Sequence, residues 1–319
     1  MHTGKPGPFR AGRPCGECLM NWSEMDTWIA VTGALISMAC AIPGTFLVLN
    51  KDSMLGDAIT HAVLPGLAMA FLISGTRDPV TMVVGAVCAG VLTAFLSGGI
   101  QRGGGIESGA ALGVVFCSLF AIGLLLIRLA ADHVDLDPGC ILYGAIELAV
   151  IEGSPIPTVA WMSAGVLVWN LALAVFFLKE LKITAFDPRF AATQGISPGL
   201  MRQCLAIVTA ITSVIAFESV GSILVVSMLI VPGATALLVS RRVSGVLLIS
   251  LAVAAISAVG GHVLAISAAP ALLGKLTAHP QMGSLNSAGM MAAFSGVLFF
   301  AVLLTTSLRS SLAGPKLNG

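Results

Sequence analysis

Long apolar stretches recur along the whole chain, and they restrict its fold more than any other feature. A helix needs about 20 consecutive apolar residues to cross a bilayer core of about 30 Å. Stretches of roughly this length, with few charges, can be drawn nine times in the 319 residues. The sixth is the shortest, so a count of eight is the alternative. The predicted spans are residues 28–49, 56–74, 80–100, 109–130, 158–178, 203–217, 220–240, 243–266 and 287–308.

These spans predict an all-α fold, because a segment in lipid must satisfy its backbone hydrogen bonds internally and a helix does so. The composition agrees: 57% of the residues are hydrophobic and 10% are charged, whereas soluble domains carry about 25% charged residues. A soluble enzyme is therefore excluded. Sixteen Lys and Arg against 15 Asp and Glu give a net charge of +1, which leaves no basic excess for binding nucleic acid. We expect a polytopic transmembrane helix bundle.

Basic residues in the connections predict the orientation, since cytoplasmic loops carry an excess of Lys and Arg. Three connections are basic, after spans five, seven and nine, and all three are assigned to the cytoplasm. Alternation of the spans then places the N terminus and the loop at 131–157 outside. The basic residues concerned are Lys179, Lys182, Arg189, Arg202, Arg241, Arg242, Arg309 and Lys316.

This orientation divides the chain into four parts. We expect an extracytoplasmic polar leader at residues 1–27 and a single transmembrane domain at 28–308. A long cytoplasmic loop at 179–203 interrupts that domain, and a short cytoplasmic tail follows at 309–319. The leader contains Cys15 and Cys18, but a zinc site would need a second pair of ligands at suitable spacing.

The clearest ionisable pair inside a span is Asp57 and His61. Ionisable groups in membrane spans are costly, so they usually face the bundle interior or a water-filled path. Residues four apart share one face of a helix, and a carboxylate with an imidazole suits Mn²⁺, Zn²⁺ or Fe²⁺ better than Mg²⁺ or Ca²⁺. Pro65 removes the hydrogen-bond donor to the His61 carbonyl and is predicted to loosen or kink the helix there. The same pair also fits an Asp–His hydrogen bond between helices without a metal.

Two further residues are weaker candidates for lining a metal path. Glu218 and His262 lie near the predicted outer ends of spans. A helix-end residue that reaches the membrane interface is the alternative interpretation. The external loop at 131–157 is acidic, with Asp132, Asp135 and Asp137 among its residues. Such a loop attracts cations, or it is an ordinary solvated loop.

No phosphate-binding loop of the G-x-x-x-x-G-K-[ST] type occurs, because Gly4-Lys5 and Gly274-Lys275 are followed by Pro and Leu. Either a separate chain hydrolyses ATP, or this chain is a channel or an ion-coupled carrier. In a proton- or sodium-coupled secondary carrier, Asp57 or Glu218 would carry a coupling proton. A membrane scaffold, in which Asp57 and His61 only bridge helices, is a third interpretation.

Residues 54–66, MLGDAITHAVLPG, closely resemble the signature of the manganese/zinc/iron ABC-transporter permeases. Three further segments are similar to that family: residues 186–195, with Phe186, Asp187, Pro188 and Gly195, residues 220–236, which end in PGATA, and residues 287–296. The resemblance implies an importer permease of the type II, vitamin B12 and metal-chelate-like architecture.

The resemblance also implies partners and roles. It implies cytoplasmic ABC ATPase subunits, an extracytoplasmic metal-binding protein and a second permease copy or paralogue. Asp57 and His61 match the family positions that line the path and bind the ion, and residues 186–195 match the segment that contacts the ATPase. The metal ion is then the transported substrate and not a resident cofactor. The location implied is the inner, or plasma, membrane.

Overall fold

The computed structural model describes residues 22–75, 79–130, 146–149, 157–267 and 286–312. Within these ranges every regular element is a helix and no strand occurs. The helices are α1 (Glu24–Leu49), α2 (Met54–Ser74), α3 (Pro79–Gly104), α4 (Ser108–Ala130), α5 (Ile146–Ala149), α6 (Thr158–Phe176), α7 (Leu178–Phe186), α8 (Pro188–Thr193), α9 (Pro198–Val220), α10 (Ser222–Val239), α11 (Val243–Ile266) and α12 (Ser287–Leu312).

Nine helices of the described part are long and apolar enough to cross a membrane, which confirms the larger of the two predicted counts. They are α1 to α4, α6 and α9 to α12. The sixth span is not short, because α9 begins at Pro198 rather than at residue 203. Ser197 precedes it, and its hydroxyl accepts a hydrogen bond from the Leu200 amide at 3.4 Å. Pro198 occupies the first turn, where its missing amide hydrogen costs nothing.

Helix α1 also begins earlier than the apolar pattern indicated, at Glu24 instead of residue 28. Ser23 and Asp26 form a capping box there: the Ser23 hydroxyl accepts from the Asp26 amide, and the Asp26 carboxylate accepts from the Ser23 amide at 2.8 Å. Such reciprocal bonds satisfy amides that the first helical turn leaves free. The last residues of the predicted polar leader are therefore helical.

The core forms around α1, which packs against α6, α9, α10 and α11. Gly44 allows the closest of these approaches, since a Cβ atom at this position would collide with the Leu229 carbonyl of α10. Small residues of this kind let membrane helices pack at short distance. The central core cluster includes Ile36, Cys40, Leu224, Met228, Leu229 and Met291.

Helices α3, α4, α6 and α12 are the least buried of the nine spans. Their outward faces carry large apolar side chains, as expected where lipid or another transmembrane chain covers the protein. Examples on each helix are Val84 and Phe95, Ile122 and Leu125, Trp161 and Val168, and Val297 and Phe300.

The loop predicted at 179–203 is not an irregular connector. It contains α7 and α8 before α9 begins. Asp187 caps α8, because its carboxylate accepts a hydrogen bond from the Phe190 amide at 2.9 Å. Gly195 then turns the chain towards α9 with a φ of 79°, a left-handed conformation that favours glycine.

Candidate functional site

Asp57 and His61 lie on one face of α2, as their spacing predicts. The His61 Nε2 and Asp57 Oδ1 atoms are 3.4 Å apart, and the two side chains are 25% and 45% exposed. The distance exceeds that of an ordinary N–H to O hydrogen bond, about 2.7–3.2 Å. Both residues belong to the same helix, α2. Both side chains are partly exposed on the surface of this chain.

The start of α2 supports the negative charge of Asp57. The helix begins at Met54, so the carboxylate of Asp57 lies in the first turn. A helix N-terminus carries a partial positive charge and stabilises anions nearby. The Asp57 carbonyl accepts from the Thr60 hydroxyl at 2.7 Å. The helix end thus places the Asp57 side chain where the free backbone amides favour an acidic residue.

Two phenylalanines of α4 position the His61 ring. The ring centroid of Phe116 lies 4.9 Å from that of His61, and that of Phe120 lies 5.7 Å away. The Phe120 contact is edge-to-face, one of the favoured arrangements of aromatic pairs. Sequence reasoning did not identify these residues. Their only signal was the spacing of two aromatic residues, one helical turn apart, in a span that packs beside α2.

Pro65 does not interrupt α2, which continues through it to Ser74 as one helix. Pro65 has no amide hydrogen, so the His61 carbonyl lacks the donor that another residue would supply. Pro65 is buried and faces Gly123 of α4, where a Cβ atom would lie 2.9 Å from the Pro65 nitrogen. The broken helix that often accompanies transporter sites is not present at this point.

His262 lies in a different environment. Its side chain is 1% exposed, its Nδ1 lies 3.1 Å from the Ser287 hydroxyl, and its Nε2 lies 3.6 Å from Asp26 Oδ1. Trp22 packs edge-to-face on the ring at 5.8 Å. The Glu147 carboxylate accepts from the Ser287 amide at 2.9 Å. His262 therefore connects α1, α11 and α12, and its contacts include neither Asp57 nor His61.

Glu218 lies in the last turn of α9, and its side chain is outside the described part of the structure. The acidic residues Asp132, Asp135 and Asp137 and the cysteines Cys15 and Cys18 are also outside the described residues. Where the structure describes side chains, no group of three or more His, Cys, Asp or Glu is arranged to hold a metal ion. Asp57 and His61 form a pair and not a group of three.

The proposed coupling residues lie together at one end of the bundle. Phe186 ends α7, Asp187 and Pro188 begin α8, and Gly195 follows it. Phe186 and Phe190 are large apolar side chains exposed on this segment. Arg189 lies between them and is also exposed. An exposed segment with apolar and cationic groups is suited to contact with another protein.

A second polar cluster, formed by Asp52, Arg202 and Ser108, was not predicted from the sequence. Asp52 lies in the α1–α2 corner, and Arg202 Nη2 of α9 lies 2.6 Å from its Oδ1 atom. Ser108, the first residue of α4, donates to the same oxygen at 3.1 Å. Arg202 was recognised only as a basic residue of a cytoplasmic loop. Its contacts place the α1–α2 corner, the α3–α4 connection and the start of α9 on one side, in agreement with the predicted alternation of spans.

Comparison with known proteins agrees with this architecture. A model of the ABC 3 transport family matches residues 23–278. The manganese transport system membrane protein MntD of Bacillus subtilis is 39% identical over 287 residues, which cover 88% of this chain and 92% of MntD. The zinc transport system membrane protein TroD of Treponema pallidum is 35% identical and covers 88% of this chain and 74% of TroD. The solved structure of PsaBC from Streptococcus pneumoniae, in complex with Fab, is similar with a TM-score of 0.68 and 28% identity, over 88% of this chain and 91% of that one.

Proposed function

Because the chain belongs to the ABC 3 transport family, we propose that it is the membrane permease subunit of an ABC importer for Mn²⁺, Zn²⁺ or Fe²⁺. The observation that carries the choice of substrate is the Asp57–His61 pair, a carboxylate and an imidazole that point the same way from one membrane helix. Oxygen and nitrogen donors of this kind suit first-row divalent ions. The similar proteins named for manganese and zinc transport support the same substrate class.

Two donors from one chain leave the coordination shell incomplete. Asp57 is 45% exposed although it lies on a membrane-spanning helix. Intramembrane carboxylates that face lipid are rare, because they are poorly solvated there. The pair therefore faces a second permease subunit across a shared path, and that subunit or water completes the shell. The exposed pair and the family both support a dimer, of two copies or of two paralogues.

ATP hydrolysis is assigned to a separate chain. We place the contact with cytoplasmic ATPase subunits at α7 and α8, where Phe186, Arg189 and Phe190 are exposed. On the opposite side, we place an extracytoplasmic metal-binding protein that delivers the ion. The metal would be cargo, bound weakly enough at Asp57 and His61 to be released into the cytoplasm.

Metal binding by the purified permease, in the dimeric form proposed above, tests the site directly. Binding of Mn²⁺ and Zn²⁺ would be measured by calorimetry for the wild type, Asp57→Asn and His61→Gln. Each variant is expected to lose at least about tenfold in affinity, about 1.4 kcal/mol. Glu107→Gln, which removes an exposed carboxylate outside α2, is the matched control and is expected to retain wild-type affinity. Unchanged affinity in both α2 variants would overturn the assignment of the ligands.

Uptake into vesicles tests the transport cycle. Vesicles would hold this chain with its candidate ATPase, with and without ATP, and both α2 variants would be compared with Glu107→Gln at matched protein levels. ATP-dependent uptake that is lost in the α2 variants is the expected result. Uptake driven by a proton or sodium gradient without the ATPase would instead identify a secondary carrier.

A further inference from the structure

Four segments meet at an ion pair between a buried Asp52 and a partly exposed Arg202, near the start of α2. Arg202 Nη2 donates to Asp52 Oδ1 at 2.6 Å and to the Ser108 hydroxyl at 3.0 Å. The Ser108 hydroxyl donates to Asp52 Oδ1 at 3.1 Å and accepts from Gln101 Nε2 at 3.2 Å. The cluster therefore joins the α1–α2 corner to the end of α3, the start of α4 and the start of α9.

The two charges are unequally buried. The Asp52 side chain is 9% exposed and the Arg202 side chain is 43% exposed. A buried carboxylate depends on its partner, because leaving it uncompensated in a low-dielectric site is strongly unfavourable. Arg202, by contrast, can be solvated when it moves away. Arg202 also borders a cavity of about 100 Å³. The pair can thus open from the Arg202 side.

Asp52 is rigidly connected to the helix that carries the metal donors. Its amide donates to the Leu47 carbonyl at 2.9 Å, and its carbonyl accepts from the Leu55 amide at 2.9 Å. Lys51 before it has a φ of 60°, a left-handed conformation that is unfavourable for a residue with a side chain. These bonds tie the corner to the end of α1 and to the start of α2, and Asp57 lies in the first turn of α2.

Arg202 is connected to the segment at which the ATPase would dock. It lies in the first turns of α9, close after α8 and the Gly195 turn. Helices α7 and α8 also pack against α9. A displacement of α8 would therefore shift the start of α9 and, with it, the guanidinium that holds Asp52.

We propose that the Asp52–Arg202–Ser108 cluster is the mechanical link that couples the ATPase-docking segment to the metal-binding face of α2. Asp52 and Arg202 are then positioning residues, which do not touch the metal and act through the orientation of α2. This inference rests on the proposed function, since it requires ATP-driven metal transport. It predicts that breaking the cluster separates ATP hydrolysis from transport and leaves metal binding intact.

The test measures Mn²⁺ uptake and phosphate release together in vesicles that hold the complete complex. Arg202→Gln is expected to lower the Mn²⁺ transported per ATP hydrolysed by about tenfold, a typical size for coupling between two sites. Arg202→Lys keeps the charge but replaces the planar guanidinium, whose Nη2 bonds to both Asp52 and Ser108, with a compact ammonium on a flexible stem. An intermediate ratio is therefore expected. Arg241→Gln removes an exposed arginine between α10 and α11 and serves as the matched control.

The outcomes separate coupling from a merely structural role. If the cluster couples ATP hydrolysis to transport, the Mn²⁺ affinity of purified Arg202→Gln stays at the wild-type value while its ratio of Mn²⁺ uptake to ATP hydrolysis falls. An unchanged ratio would overturn the proposal, and so would a fall in Mn²⁺ affinity, hydrolysis and uptake in equal proportion. If Arg202→Gln does not assemble, the ratio measured for Arg202→Lys decides. Failure of the wild-type complex to transport any of Mn²⁺, Zn²⁺ and Fe²⁺ with ATP would instead refute the proposed function itself.

Discussion

Gly123 of α4 lies directly against Pro65 of α2, so that a Cβ atom on residue 123 would come within 2.8 Å of the Pro65 Cδ atom. The neighbouring groups are the proline ring and its backbone nitrogen, neither of which moves easily. The contact fixes the separation of α2 and α4 one turn away from His61. The same two helices also bring Phe116 and Phe120 onto the His61 ring.

Gly123→Ala is therefore expected to destabilise the chain. Overpacking of this kind typically costs about 1–3 kcal/mol, and separation of α2 from α4 would also weaken the contact that orients His61. Thermal unfolding in detergent and Mn²⁺ affinity would both be measured. Gly113→Ala on the same helix is the control, because a Cβ atom there meets no atom within 4 Å. Equal effects of the two substitutions would contradict the packing argument.

Phe116→Ala is expected to weaken metal binding without removing a ligand. The Phe116 ring lies 4.9 Å from His61 and restricts its rotation. Loss of a group that orients a metal ligand commonly costs about 10–100-fold in affinity. Calorimetry with Mn²⁺ checks this, with Phe95→Ala on the exposed face of α3 as the control. Wild-type affinity in Phe116→Ala would show that the ring does not position His61.

His262→Ala is expected to lower stability but not metal affinity. The substitution removes the contact with Ser287 and leaves a space beside Trp22 and Asp26. Removing one partner of a buried polar pair costs about 1–3 kcal/mol. His61→Ala is expected to do the opposite: it should reduce the Mn²⁺ affinity and leave the stability nearly unchanged. A large loss of Mn²⁺ affinity in His262→Ala would contradict this prediction and indicate that His262 is a metal ligand.

Asp187→Ala is expected to weaken the association with the ATPase. The carboxylate caps α8 through the Phe190 amide, and loss of such a cap costs about 1 kcal/mol. Without the cap, the first turn of α8 would fray, and the exposed Phe186 and Phe190 on either side of it would be held less rigidly. Co-purification of the ATPase with the detergent-solubilised chain measures the effect. Asp187→Asn keeps a capping side chain and is expected to retain binding; an equal loss in both variants would implicate the charge rather than the cap.

Much of the fold followed from local pattern. Apolar runs of bilayer length predicted nine spans, and the structure has nine such helices within its described residues. The errors lay at helix ends, where α1 begins at Glu24 and α9 at Pro198. Hydropathy did not mark these ends, because capping residues are polar although they belong to the helix. The Ser23–Asp26 spacing and the Ser197-Pro198 pair were the signals that hydropathy left unused.

The sequence by itself determined that Asp57 and His61 share a face of α2, because the helical period acts between neighbours in the chain. It could not determine what lies opposite that face. Only the tertiary structure decided that Phe116 contacts His61, that Arg202 holds Asp52 across 150 positions, and that His262 binds Ser287 rather than joining the pair. The physical reason is that the membrane spans are predominantly apolar around their whole circumference, with few polar residues to mark one face. Hydropathy therefore indicates which segments become helices, whereas close packing of small residues and a few polar contacts decide which helices meet.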